Sequence, residues 1–327
     1  MKRTTRGIII FPSELTRRSV RQIIESGLDA VGIHAAFTDS GKNCVQNLID
    51  LLKNEEFKKN LQMLRSAGIV VEYELHAMDW LLPHTAFDQH PEWFRMNDAG
   101  VRKADFNFCP SNQEALTYVE EKAQELAKLL PSPQSHRFYF WIDDNGEYCH
   151  CPQCQGLNAS DQALIVYNHI LKGIRKSDPQ GKQCYLAYQK TIQAPQRIKP
   201  DAGIFLEYAP IDRMSGLAIN DLRCEKNIGQ KNALGELLRV FGTKDSQVLE
   251  YWLDLSRFYA WKPPFGELPF YPHVIRQDVV FYRSIGFERM TSFACRLMED
   301  EYINCYGEAP IKQYVDLLNS VYTSDMV

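Results

Sequence analysis

Asp143 and Asp144 stand side by side at the end of an apolar, aromatic run, Tyr139–Ile142, and Asn145, Gly146 and Glu147 follow. Acids at the C-terminal end of a buried strand sit where α/β folds keep their chemistry. Two carboxylates across a cleft suit cleavage of a glycosidic bond. One stays protonated and assists the leaving group; the other stabilises an oxocarbenium-like centre or activates water. Adjacent aspartates offer a second route, in which one orients a substrate acetamido group that itself attacks and its neighbour is the general acid. If both ionised in a low dielectric, repulsion would raise one pKa, which suits an acid. The structural alternative is that Asp144-Asn145-Gly146 is a tight turn.

Cys149, Cys151 and Cys154 follow at once, spaced C-x-C-x-x-C. Three thiolates leave a tetrahedral zinc one ligand short. Cys109, just ahead of a helix expected to start at Ser111, is the natural fourth, and His150 is a possible substitute. A closed four-thiolate zinc is structural rather than catalytic. The alternative is a set of free reduced thiols.

Eight strand-like segments position these groups: Gly7–Phe11, Ala30–Ala35, Ile69–Ala77, Arg137–Asp144, Gln183–Gln189, Ile204–Ala209, Gln247–Leu253 and Met290–Arg296. Helical stretches alternate with them, at Thr16–Ser26, Val45–Ser66, Ser111–Leu130, Ser160–Lys176, Ala233–Phe241, His273–Ser284 and Pro310–Val321. A long loop, Met78–Pro110, interrupts the rhythm. The arithmetic is that of a (β/α)8 TIM barrel, α/β class, as a single domain over residues 1–327. A doubly wound sheet would carry a glycine-rich turn after the first strand, but Phe11-Pro12-Ser13-Glu14 stands there.

Strand side chains alternate. The apolar sets Val71/Tyr73/Leu75 and Leu249/Tyr251/Leu253 are expected to face outward. Glu72, Glu74 and His76, and Glu250, Trp252 and Asp254, then point inward. Glu207, His34, and Tyr139, Trp141 and Asp143 are placed inward by the same logic. Glu72 and Glu74 lie low in their strand and read as an internal polar network.

The chain has 327 residues, 45% of them hydrophobic, a net charge of −4 and no basic stripe, which argues against a nucleic-acid partner. Nine cysteines cannot all pair within one chain. No apolar run is long enough for a signal peptide core or a membrane span. The expectation is a soluble protein of the reducing cytoplasm, with its oligomeric state left open.

The stretch His90-Pro-Glu-Trp-Phe-Arg-Met-Asn-Asp-Ala-Gly-Val-Arg102, then Phe108–Asn112, then Trp141–Asn145 with its cysteines, resembles the domain of unknown function 4838 family, whose members look like glycosidase-type barrels. The same order resembles glycoside hydrolase family 42 β-galactosidases. That resemblance implies structural zinc on Cys109, Cys149, Cys151 and Cys154. Those enzymes end strand four in Asn-Glu, whereas here Gly146 follows Asn145 and Glu147 comes one position late, so either Asp144 replaces the acid, Glu147 reaches back, or the barrel has lost that chemistry. The Asp143-Asp144 pair is also similar to the catalytic pair of family 84 β-N-acetylglucosaminidases. Glu250 stands on strand seven, where retaining barrel glycosidases place their nucleophile.

The leading expectation is a glycoside hydrolase acting on an oligosaccharide or glycoside. Asp144 is its general acid, Asp143 orients substrate or tunes Asp144, and Glu250 is the second carboxylate. His34, His76, Trp80, Tyr188, Glu207, Tyr208 and Trp252 line the sugar subsites, and no organic cofactor is required. The rival expectations are a carbohydrate-binding barrel that has lost its acid, and a metal-dependent hydrolase built on His34 and His76.

Overall fold

The computed structural model describes residues 4–35, 44–144 and 147–320. Asn145 and Gly146, the turn expected after the acid pair, lie outside them. Eight strands form a closed barrel in sequence order, β1 (Thr5–Ile10), β2 (Ala30–Ile33), β3 (Val70–His76), β4 (Arg137–Trp141), β5 (Lys182–Ala187), β6 (Ile204–Tyr208), β7 (Gln247–Glu250) and β8 (Arg289–Phe293), and every neighbouring pair is parallel. With helices packed around the ring, this is the (β/α)8 architecture that the strand count predicts.

The helices differ from expectation in instructive places. The stretch expected as one helix over Val45–Ser66 is two, Cys44–Leu51 and Glu55–Ser66. Asn54 starts the second by accepting from the amides of Glu56 and Phe57. Asn112, not Ser111, caps the helix Gln113–Leu129, accepting from Ala115 N at 2.9 Å. Asn158, not Ser160, caps Ala159–Arg175, accepting from Asp161 N at 2.7 Å. In each case a neighbouring asparagine makes the capping bond, and the serine hydroxyl goes elsewhere. Between β5 and β6 there is one 3-10 turn, Gln189–Thr191. Asp161 steadies that crossing, its Oδ1 accepting from the amides of Gln196, Arg197 and Ile198.

Inside the barrel, the lower layers are polar. Arg289 pairs with Glu72. Arg137 Nη2 and the Tyr139 hydroxyl both donate to Gln247 Oε1 at 2.8 Å. Higher up, Glu207 accepts from Trp141 Nε1 and Cys184 Sγ at 2.9 Å, and from Gln247. Glu74 lies beside it. Burial first, then the charges of Glu207 and Glu72, push Glu74 well above the ordinary carboxylate range. Gly32 makes room for it, since a Cβ there would collide with the Glu74 carboxylate. This network is sealed from above by Trp141, and it keeps the ring filled rather than open.

Strand seven has the opposite phase from the expected one. Leu249 and Tyr251 join Ile9, Tyr139, Trp141, Cys184, Leu186 and Phe205 in the interior cluster. Glu250 and Trp252 therefore face the surrounding helices. The expectation that acids turn inward fails because the loop after β6 and the helix Pro272–Ser284 supply partners outside. Glu250 Oε1 accepts from Arg213 at 2.5 Å and from the Tyr282 hydroxyl at 2.6 Å. Asp278 accepts from the same guanidinium at 2.6 Å and from Trp252 Nε1 at 2.9 Å. A satisfied ion pair can be buried on either side of a strand.

Candidate active site

The C-terminal rim of the barrel gathers residues from separate strands. His34 leaves β2, His76 ends β3, Trp141 ends β4, Tyr188 follows β5, Tyr251 follows β7 and Phe293 ends β8. Their rings form one aromatic floor. His34 lies 5.6 Å from Trp141, 5.3 Å from Phe293 and 6.0 Å from His76, centroid to centroid. His76 lies 5.2 Å from Trp141 and 6.5 Å from Tyr188, and Tyr251 stacks on Phe293 at 5.5 Å. Trp141, Tyr251 and His34 are buried in this floor, while His76, Tyr188 and Phe293 are partly exposed and offer faces on which an apolar sugar face can rest.

Both histidines are fixed by backbone carbonyls. His34 Nδ1 donates to Glu74 O at 2.7 Å, and His76 Nδ1 donates to Ile142 O at 2.6 Å. Burial lowers the pKa of each, that of His34 to about 4, while the Asp144 charge acts in the opposite direction on both. The rings are neutral at pH 7, with Nδ1 carrying the proton, so each Nε2 is an acceptor suited to a hydroxyl donor.

Asp143 and Asp144 stand just past the end of β4, as the sequence placed them. Asp143 lines a narrow pocket with His76, Ile142, Leu186, Tyr188 and Lys190. Its Oδ2 is buried without a hydrogen-bond partner among the described residues. Burial, then the charges of Asp79 and Asp144, raise its pKa to about 7. The Tyr188 hydroxyl is hydrogen-bonded to Asp144, and burial with that carboxylate raises the tyrosine's own pKa. Two adjacent carboxylates in unlike settings can divide acid and base roles. Glu147, the alternative acid, is tied to Lys190 in a salt bridge that lowers its pKa.

Four expected site residues lie elsewhere. Glu250 is fully buried between β7 and the helix Pro272–Ser284. Tyr208 faces the same outer layer, its ring 6.2 Å from Tyr282, and Trp252 joins that layer through Asp278. Trp80 turns toward the outer helices, its indole nitrogen 3.2 Å from Gln46 and its ring under the Lys122 ammonium. A fifth, Glu207, does face inward, but it lies under Trp141 with its acceptors already used. The Glu250→Gln variant is expected to lose about 3 kcal/mol of stability, because Arg213 keeps Asp278 but forfeits one buried partner. Urea denaturation checks this, and any ligand binding at the rim should be unchanged.

Sequence reasoning missed Tyr251, Phe293, Asp79 and Asn107. Tyr251 is hidden by the inverted phase of strand seven, and no phase is assigned to strand eight, which carries Phe293. Asp79 had a signal, an acid three residues past the His76 strand end. Asn107 had none.

Beside the acids, Cys109, Cys149, Cys151 and Cys154 converge, with all four sulfurs within 4.8 Å of one another and all buried. Cys109 Sγ lies 3.6 Å from Cys151 Sγ and 3.9 Å from Cys154 Sγ. Sulfurs at about 2.3 Å around a tetrahedral zinc would be roughly 3.8 Å apart. The group could therefore hold a metal ion such as zinc. It is the only such cluster of three or more candidate ligands among the described residues.

Solved structures share the closed parallel barrel. A β-galactosidase from the psychrophilic Marinomonas ef1 matches with a TM-score of 0.55 at 11% identity, over 97% of this chain and 59% of that one. A tri-modular GH5 (subfamily 4) endo-β-1,4-glucanase from Bacillus licheniformis matches with a TM-score of 0.50 at 10% identity, over 95% and 58%. The chain thus spans under two thirds of the length of both enzymes. No curated protein matches it in sequence. Residues 48–319 match the family described as domain of unknown function DUF4838, and the chain belongs to that family. No helix among the described residues is long and apolar enough to cross a membrane.

Proposed function

We propose that this protein is a glycoside hydrolase whose substrate, an oligosaccharide or glycoside, lies on the aromatic rim. The observation that carries the reading is Asp143, a carboxyl held near pH 7 by burial, beside a second carboxylate positioned by a tyrosine. A group with that pKa is protonated at mildly acidic pH and can protonate a departing oxygen. The roles expected of the pair are therefore exchanged: Asp143 is the proton donor. Asp144, held by Tyr188, orients the substrate or stabilises the charge that develops. The neutral His34 and His76 accept hydrogen bonds from sugar hydroxyls through Nε2. The four thiolates hold a structural zinc that ties two rim loops together.

A panel of aryl glycosides at pH 5–8 tests this. Turnover is expected to fall as pH rises through about 7, as Asp143 ionises. Release of aryl alcohol that is unaltered in Asp143→Asn would remove Asp143 from the chemistry.

One observation favours a second reading, a carbohydrate-binding barrel without turnover: β7 sends Gln247, Leu249 and Tyr251 inward, so no carboxylate from that strand reaches the rim. Glycan binding on an array, with no cleavage after prolonged incubation, would select it.

A further inference from the structure

Strand β4 ends at Trp141, yet the two amides that follow find side-chain partners rather than strand ones. Ile142 N donates to the Tyr167 hydroxyl at 3.1 Å, and Asp143 N donates to Asn107 Oδ1 at 3.0 Å. The Asn107 amide nitrogen then donates to Glu147 O at 3.2 Å. One buried side chain thus grips the acid segment at both ends, with Asp143 and Glu147 as its two handles.

Asn107 is two residues from Cys109, and Glu147 is two from Cys149. The loop that carries Asn107 folds back on itself through the antiparallel bridges Phe94–Phe108 and Met96–Arg102. It meets the loop after β4 where Met96 N lies 3.3 Å from Cys149 Sγ and His150 N donates to Met96 O at 2.8 Å. Gln162 holds the Cys149 peptide from the other side, accepting its N–H and donating to its carbonyl at 2.9 Å. The thiol cluster therefore joins the two loops that Asn107 spans.

We propose that Asn107 is a positioning residue for the acid pair, and that a metal bound by the four thiolates acts on the pair through it. The metal clamps the loop after β3 against the loop after β4, and Asn107 converts that clamp into a fixed backbone at Asp143. Backbone past the end of a strand ladder must find its hydrogen bonds somewhere, and where it finds them sets where its side chain stands. The catalytic consequence rests on reading Asp143 and Asp144 as the working acids; the positional claim does not.

The experiment uses the metal-loaded full chain and the variants Asn107→Ala, Asn107→Leu and Asn107→Asp. Leucine keeps the volume and loses both hydrogen bonds, while aspartate keeps an oxygen acceptor. Amide hydrogen exchange at Asp143, metal content and aryl glycoside kinetics are measured. The alanine and leucine variants are expected to retain their metal but lose protection at the Asp143 amide by roughly tenfold or more. The aspartate variant should keep that protection. Chelated wild-type protein should show the same loss at Asp143. In kinetics, kcat should fall about 100-fold with KM changed little, as expected for a misplaced reacting group. Protection at Asp143 that is unchanged in both the alanine and leucine variants overturns the assignment of Asn107. Loss in those variants but not on chelation overturns the role of the metal. If protection is lost as expected and no variant or wild type cleaves a glycoside, the positioning stands and the hydrolase reading falls.

Discussion

Asp143→Asn is expected to lower kcat on any cleaved glycoside by about 100-fold or more, with substrate binding retained. The residual rate should lose the decline that wild type shows above pH 7. The same group makes a stability signature that does not depend on knowing the substrate. Its folded pKa of about 7 lies above the unfolded value of 3.8. Below pH 3.8 both states hold the proton and the group is neutral toward stability. As pH rises past 3.8 the unfolded chain ionises first, so stability falls, and the fall ends once pH passes about 7. Holding a carboxyl at 7 rather than 3.8 costs at most about 4 kcal/mol at high pH, less any relief from its partial exposure. The Asn variant lacks this penalty. Its melting temperature, relative to wild type, should therefore be several degrees better at pH 8 than at pH 4.5, and scanning calorimetry at the two values checks it. Equal differences at both would mean that Asp143 is not held protonated.

Cys151→Ser is expected to have the largest effect on stability. Cys151 is fully buried and 3.6 Å from Cys109 Sγ, so a weakly binding hydroxyl there opens the tetrahedron. Structural zinc sites bind with apparent energies of about 10–16 kcal/mol in small peptides, and part of that is folding energy. Here the barrel core is independent of the cluster, so the expected outcome is a loss of metal and a melting point lower by about 10 °C or more, not an unfolded chain. Metal analysis and calorimetry together check this. Alanine at His34 and His76 should leave the metal content unchanged, because neither residue belongs to the thiol cluster. A Cys151→Ser protein that keeps both its metal and its melting point would show that the thiols are free.

Much of the site could be read from residue order alone. The acid pair at the end of β4, the four cysteines, and the two histidines at the ends of β2 and β3 are all where spacing put them. These groups lie at, or within a few residues of, strand ends whose apolar alternation is strong, so their place on the rim follows from the count. The errors fall where alternation is ambiguous. From Val248 in β7 to Leu253 just past its end every residue is buried, and both faces carry aromatics or acids. Nothing local says that Glu250 belongs with Arg213, 37 residues earlier, and with Asp278 and Tyr282 on a helix that follows. Tyr208 and Trp252 fall with it, since they share that outer layer. Trp80 fails for a different reason: the loop after β3 is not a wall over the mouth throughout but begins with a short helix, Met78–Leu81, turned toward its neighbours.

Residue types and their spacing settled the barrel, the rim acids and the thiol cluster, because strand ends and metal ligands leave marks within a few positions of one another. Which face of β7 met the interior, which asparagine gripped the acids, and how far burial raised Asp143 were settled by contacts between residues distant in the chain. Burial and long-range pairing set electrostatic cost, and no local pattern encodes the dielectric that a side chain meets once the ring has closed.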